Sequence, residues 1–296
     1  MTYADSMRPK RRLHAWIWPP PPIASRLWLA ILIAMIYSLV VYFAAYGFLD
    51  KLPSWSSEFG LVNGLVLGVL VAIRVRAAFD RWFEGQKLWA ELTTHARNLA
   101  IKIAHIIDAE PNERRQSQQW ISAFPFALVR RLRGDDPSIQ GLPEVDLPQP
   151  RPAHVPSFIA GRLGELAAKW RQTGKLDGPG LWAVEANIRQ MMDVTGQCER
   201  IVATPVPQSF HALLRHGLAL SLLLAPWHLI HTLGLWALPV QAIIIYFLFG
   251  IELTAEEIEN PFGTDVDDLP LIAYCESIRR DVDEIFGEPP SAARVV

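Results

Sequence analysis

The sequence predicts an all-α membrane protein with four transmembrane helices and a helical cytosolic part, and three observations carry that prediction. Residues 27–49, "LWLAILIAMIYSLVVYFAAYGFL", hold no charged side chain and are long enough to cross a bilayer. Residues 232–251, "TLGLWALPVQAIIIYFLFGI", repeat the pattern, and each long stretch has a shorter apolar companion, at 59–73 and 209–224. The whole chain of 296 residues is 51% hydrophobic with a mean hydropathy of +0.17, high for a soluble protein and ordinary for one with a few spans. A soluble bundle of buried helices is the competing reading. It fails on 27–49, which is too long and too uniformly apolar.

Taken in order, residues 1–26 form a cytosolic N-terminal segment, because Arg8, Lys10, Arg11, Arg12 and Arg26 outweigh Asp5 and positive charge stays inside. Trp16 and Trp18 suit the headgroup level. Residues 27–49 are the first transmembrane helix, and "DKLPSWSS" is a short outer loop. Residues 59–105 are a second transmembrane helix that continues into the cytosol, since no proline interrupts it. Residues 106–208 are a cytosolic helical region, with a helix near 116–133, a proline-rich loop at 134–158 and two further periodic stretches separated by a Gly/Pro break. Residues 209–230 and 232–251 are the third and fourth transmembrane helices, with a turn expected at "APWHL". Residues 252–296 form a cytosolic C-terminal region: a charged helix, a turn at "NPFG" and an amphipathic helix. Both termini lie inside, and the location is the cell membrane, inner and multi-pass.

Composition excludes several functions. A formal net charge of −2 gives no footprint for nucleic acid, and Cys198 and Cys275 alone make no disulfide framework or thiol cluster. The first apolar segment lacks a small-residue cleavage site, so it is no removable signal. Nothing calls for catalysis: there is no Gly-rich phosphate loop, no nucleophile elbow and no paired carboxylates. His228 and His231 are three apart, but no carboxylate or cysteine completes a metal set, and a polar turn between spans explains them. Glu199 and Arg200 read as a cytosolic pairing.

The chemistry concentrates in "GLVNGLVLGVLVAIRVRAAFDRW", residues 60–82. Leu65, Val69 and Ile73 recur every four residues and form one line along a helix, while Gly60, Gly64 and Gly68 form a neighbouring line where helices can approach closely. Two readings follow. The line is either a packing seam, or copies gather around an axis and the branched residues ring a narrow channel that gates by wetting. Four crossings enclose too little for a channel, so the second reading needs an oligomer. Beyond Ile73, Arg74, Arg76, Asp80, Arg81 and Glu84 cost roughly 2.5–3.5 kcal/mol each at mid-membrane, so the helix leaves the bilayer there. Arg74 and Arg76 favour anions if they face the pore, and Asp80 and Glu185 favour cations if they do. Arg81 and Glu84 suit ion pairing.

"RAAFDRWFEGQKLWAELTTHARNLA", "GQCERIVATPVPQSF" and "ENPFGTDVDDLPL" resemble the bestrophins, the bacterial members in particular, over nearly the whole chain. The resemblance implies a homopentameric channel with four membrane helices per subunit. Animal members are calcium-activated chloride channels, and a bacterial member favours cations. Counting back from Arg81 and Trp82, the family's hydrophobic neck falls on Leu65, Val69 and Ile73, here without the aromatic rings common there. Its second constriction falls at Leu181, Trp182 and Glu185. Its calcium clasp maps onto Asn260, Asp265 and Asp268, although Thr264 replaces an acid. On bare chemistry those acids do not space as an EF-hand, and Asp267 or Asp268 capping the following helix is the simpler reading.

The expectation is thus a passive channel for small inorganic monovalent ions, chloride or sodium/potassium, with a single axial pore, self-association as a homopentamer, and lipid as its surroundings. No cofactor is expected beyond calcium. A non-conducting, membrane-anchored scaffold is the alternative, and would be a monomer or dimer without flux. A transporter would need inverted repeats, and none is visible.

Overall fold

The computed structural model describes residues 21–47, 57–134 and 147–287. Outside these residues lie the basic stretch before residue 21 with Trp16 and Trp18, most of the expected outer loop, the middle of the 134–158 loop and the tail beyond residue 287. Among the described residues the chain is helical and has no strand. It divides into two compact units, Met1–Arg81 with Pro205–Glu259 and Asp265–Asp267, and Trp82–Thr204 with Asn260–Thr264 and Asp268–Val296.

The first unit holds α1 (Pro21–Gly47), the first half of α2 (Ser57–His105), α6 (Gln208–Leu233) and α7 (Ala237–Ile258). Among the described residues, three stretches are long and apolar enough to cross a membrane: Ile23–Tyr46, Val62–His105 and Gln208–Ile258. The last contains the 3₁₀ turn Gly234–Trp236, which folds it into the pair α6 and α7. At ~1.5 Å per residue, α7 alone measures about 33 Å, enough for a hydrocarbon core of about 30 Å. Helix α1 packs mainly on α7 and also on α6, and α6 packs on α7.

Several expected boundaries move. Helix α1 starts at Pro21, six residues before the predicted 27, because proline is well tolerated in a first turn, where its missing N–H has no partner to lose. The turn expected at "APWHL" is absent: α6 runs through Pro226 and stops at Leu233. The Leu222 carbonyl, which Pro226 leaves without its helical donor, is served from α7 by Gln241 Nε2 at 3.4 Å, and Tyr37 O–H of α1 donates to the neighbouring Leu223 O at 3.0 Å. The chain reverses instead at Gly234, whose φ of +56° suits glycine. Hence the helices expected at 209–230 and 232–251 run instead over 208–233 and 237–258. The charged "ELTAEEI" is no separate helix. Without a glycine or proline to break it, it forms the last turns of α7.

The second unit holds the rest of α2, α3 (Pro111–Arg133), α4 (Val155–Gln172), α5 (Gly178–Ala203) and α8 (Leu271–Phe286). Helix α3 starts earlier than the predicted 116 because Glu110 and Glu113 form a capping box around Pro111. Helix α4 starts inside the predicted loop, where the His154 ring accepts a hydrogen bond from Ser157 N at 3.1 Å. Asp177 caps α5 by accepting from Gly180 N at 2.7 Å. Helix α8 corrects one expectation: its N-cap is Pro270, with no side-chain cap, so neither Asp267 nor Asp268 plays that part. Helix α3 is central, touching α8, α4 and α5. Trp89, Leu92, Leu99, Phe124, Leu128, Trp170, Cys198 and Ile278 close into one core, each large apolar side chain contributing roughly 1.5–3 kcal/mol on burial.

Candidate functional site

Helix α2 is 49 residues long without a break, so every position between Gly60 and Arg81 has a defined rotational phase. Leu67, Val71, Arg74 and Ala78 are buried within the chain. Leu65, Val69 and Ile73 are exposed to 70%, 52% and 50%. At ~100° per residue the two rows lie on opposite sides of the helix. The buried row packs on Leu218 and Leu222 of α6 and Leu248 and Phe249 of α7. The open row joins none of the hydrophobic clusters among the described residues, although it is as apolar as Leu67 and Val71.

The glycine line divides. A Cβ on Gly60 would meet the His228 ring at 3.2 Å, whereas Gly64 and Gly68 have nothing within 4 Å. Only Gly60 is a close approach inside the subunit. His228 and His231 lie within α6 rather than in the turn expected for them.

Arg74 departs furthest from expectation. It does not point away from the chain but is completely buried, with Nη2 at 2.7 Å from Glu259 Oε2 and Nε at 3.7 Å from Glu252 Oε1. The other oxygen of Glu259 accepts from Val206 N at 3.2 Å and lies 3.3 Å from His211 Nε2. Arg81 Nε donates to the Glu259 carbonyl at 2.9 Å. Arg74 therefore reaches no pore. A charge this costly to bury persists because carboxylates meet it, and what sequence reasoning missed was their source at the end of α7, with Glu259 lying 185 residues away along the chain. The acid-rich "ELTAEEIE" was the available signal. Arg76 and Asp80 do stay exposed, 3.8 Å apart, and largely cancel each other's field.

The pairings of Glu199 and Arg200 also differ from expectation. Glu199 meets Arg131 at 2.7 Å and His154 at 3.1 Å, while Arg200 meets Glu84 at 3.1 Å. Burial alone would raise the Glu199 carboxyl, but Arg131 and His154 outweigh it and hold the group below its ordinary value. On α5, Leu181 packs against the core, whereas Trp182 is 78% exposed and Glu185 is also open. Burial pushes the Cys198 thiol up to about 12 and the Cys275 thiol well above its ordinary value. Both are inert core residues.

At the "NPFG" turn, Leu269 N donates to Pro261 O at 3.0 Å. A Cβ on Gly263 would lie 2.5 Å from Asp268 Oδ2 and 3.5 Å from Asn260 Nδ2, so these two side chains close over the glycine. Asp265 is exposed. Among the described residues, no three of His, Cys, Asp or Glu group as metal ligands.

The family model described as "Bacterial/Fungal Bestrophin protein" matches residues 7–284. The chain is 33% identical over 260 residues to a voltage-dependent anion channel-forming protein, mll4386, of Mesorhizobium japonicum, covering 86% of this chain and 83% of the relative. It is 31% identical over 281 residues to one from Synechocystis sp., sll1024, covering 91% and 89%. The crystal structure of a bacterial bestrophin homolog from Klebsiella pneumoniae superposes with a TM-score of 0.81 at 25% identity, covering 89% of this chain and 100% of that one. A chain that is helical and strand-free among its described residues, with membrane-length apolar helices and a family match over residues 7–284, belongs to the bacterial and fungal bestrophin family.

Proposed function

We propose that the chain assembles as a homopentamer in the inner membrane and conducts small monovalent ions passively through one axial pore, each subunit crossing four times with both termini in the cytosol. Leu65, Val69 and Ile73 of each copy form the neck. The observation that carries this reading is the open apolar row on an unbroken helix: three branched residues in line, opposite the face that the subunit itself buries. Around an axis such rows make a dry constriction that opens by wetting. Trp182 and Glu185, exposed at the start of α5, suit a second narrowing in the cytosolic part.

The names of the relatives favour anions. The exposed charges near the neck do not decide against this, because Arg76 and Asp80 are paired and Arg74 is withdrawn. Selection at an uncharged neck follows dehydration cost, so weakly hydrated anions should pass more readily than chloride. Calcium enters no step of this account.

Replacing Leu65, Val69 and Ile73 together by alanine tests the neck. Single-channel conductance should rise several-fold with the oligomer mass unchanged. Unaltered currents from an intact assembly would remove these residues from the constriction.

A further inference from the structure

The neck segment of α2 poses a problem of orientation. Its residues are Leu, Val, Ile, Ala and Gly on nearly every side, and lipid is as apolar as a protein interior, so the hydrophobic effect does not tell one face from another. Something else must set which face is presented. Gly60, Asn63, Leu67, Val71, Arg74 and Ala78 fall on one side at ~100° per residue, opposite Leu65, Val69 and Ile73. On that side the structure places two polar attachments about 16 Å apart along the axis. Asn63 Oδ1 accepts from the buried Ser221 hydroxyl of α6 at 3.1 Å. Arg74, one residue past the last neck position, meets Glu259 and Glu252 at 2.7 and 3.7 Å. Between them Leu67 and Val71 make apolar contacts, and above them Gly60 leaves room for the His228 ring close to the backbone.

We propose that Asn63 and Arg74 are positioning residues that fix the rotation of the pore helix, holding the neck row toward the axis by anchoring the opposite face to α6 and α7. The proposal rests on the neck assignment made above. A helix rotated by one residue would take Arg74 from its carboxylates and bring it toward apolar surroundings, which is unfavourable for a full charge. The apolar row by itself would oppose that rotation very little. Specification is therefore polar although the constriction is not.

Cysteine cross-linking of the full-length protein in membranes separates the two claims. Val69→Cys lies on the neck row and Val71→Cys on the buried row, while the native Cys198 and Cys275 are sealed in the core. With Asn63 and Arg74 in place, oxidation should join subunits through position 69 and not through 71. Failure of Val69→Cys to cross-link in that background would overturn the neck assignment and the proposal with it. With cross-linking at 69 established, Asn63→Leu and Glu259→Gln, both close in size to the originals, should reduce it several-fold with oligomer mass intact. Arg74→Met should do the same, and Arg74→Lys, which keeps the charge, should restore it. Unchanged cross-linking at 69 in the assembled Asn63→Leu and Glu259→Gln proteins would overturn the positioning role and leave the neck standing.

Discussion

Trp170 and Leu32 are both large apolar residues on regular helices, and they meet opposite surroundings. Trp170 is sealed in the unit built on α3, α4, α5 and α8, where its indole N–H donates to Glu113 at 2.9 Å. Leu32 projects openly from α1. The contrast holds across both units. In the second, apolar residues join one continuous core. In the first, burial comes in three small clusters around Leu27, Val41 and Leu67, while Leu29, Phe43, Val62 and Leu65 stay open. Where water is the solvent, hydrophobicity decides what is inside. Where lipid is the solvent it decides little, and hydrogen bonds and ion pairs such as Tyr37 to Trp227 at 2.9 Å, or Arg74 to Glu259, carry the specificity.

The sharpest way to break this comparison is to truncate matched residues. Trp170→Ala should cost about 3–5 kcal/mol, because it opens a cavity and removes one of the donors to Glu113. A thermal melt of the detergent-solubilised protein would register it as a large fall in midpoint. A cost near zero would mean that this core does not hold the second unit together.

Glu113 supplies an intermediate effect. The Lys169 hydrogen bond first, then the Trp170 indole, hold its carboxyl at about 2 against an ordinary value of 4.5. A group lowered on folding stabilises the native state fully above its unfolded value, so this contribution should fade as pH falls through 4.5 toward 2. Glu113→Gln should cost about 1.5–3 kcal/mol near neutrality and flatten that part of the acid denaturation curve. An unchanged acid limb would contradict the assigned role. The smallest effect is expected at Leu32→Ala, within about 0.5 kcal/mol, because a lipid-facing side chain leaves no cavity behind. A loss as large as that at Trp170 would mean that Leu32 is covered by protein.

The sequence made the long elements legible for the same reason that it obscured others. Lengths of apolar run and the lack of proline located α1, α2 and α7 because those signals are local. The row Leu65, Val69 and Ile73 was visible as a spacing of four, and its side chains are open in the structure. Three features were not visible, two because their partners lie far along the chain and one because it depends on how a local turn closes. Pro226 reads as a turn until Gln241 and Tyr37 are known to serve the carbonyls near it. Arg74 reads as a pore charge until Glu252 and Glu259 fold against it. Asp268 reads as a helix cap until it is seen closing over Gly263.

The most direct test of the account is the reversal potential of the purified protein in a planar bilayer under a tenfold KCl gradient, with oligomer mass measured on the same sample. The account predicts a pentamer whose current reverses near the chloride equilibrium potential. Reversal near the potassium potential would contradict anion conduction, and silence from a monomer or dimer would contradict the channel itself.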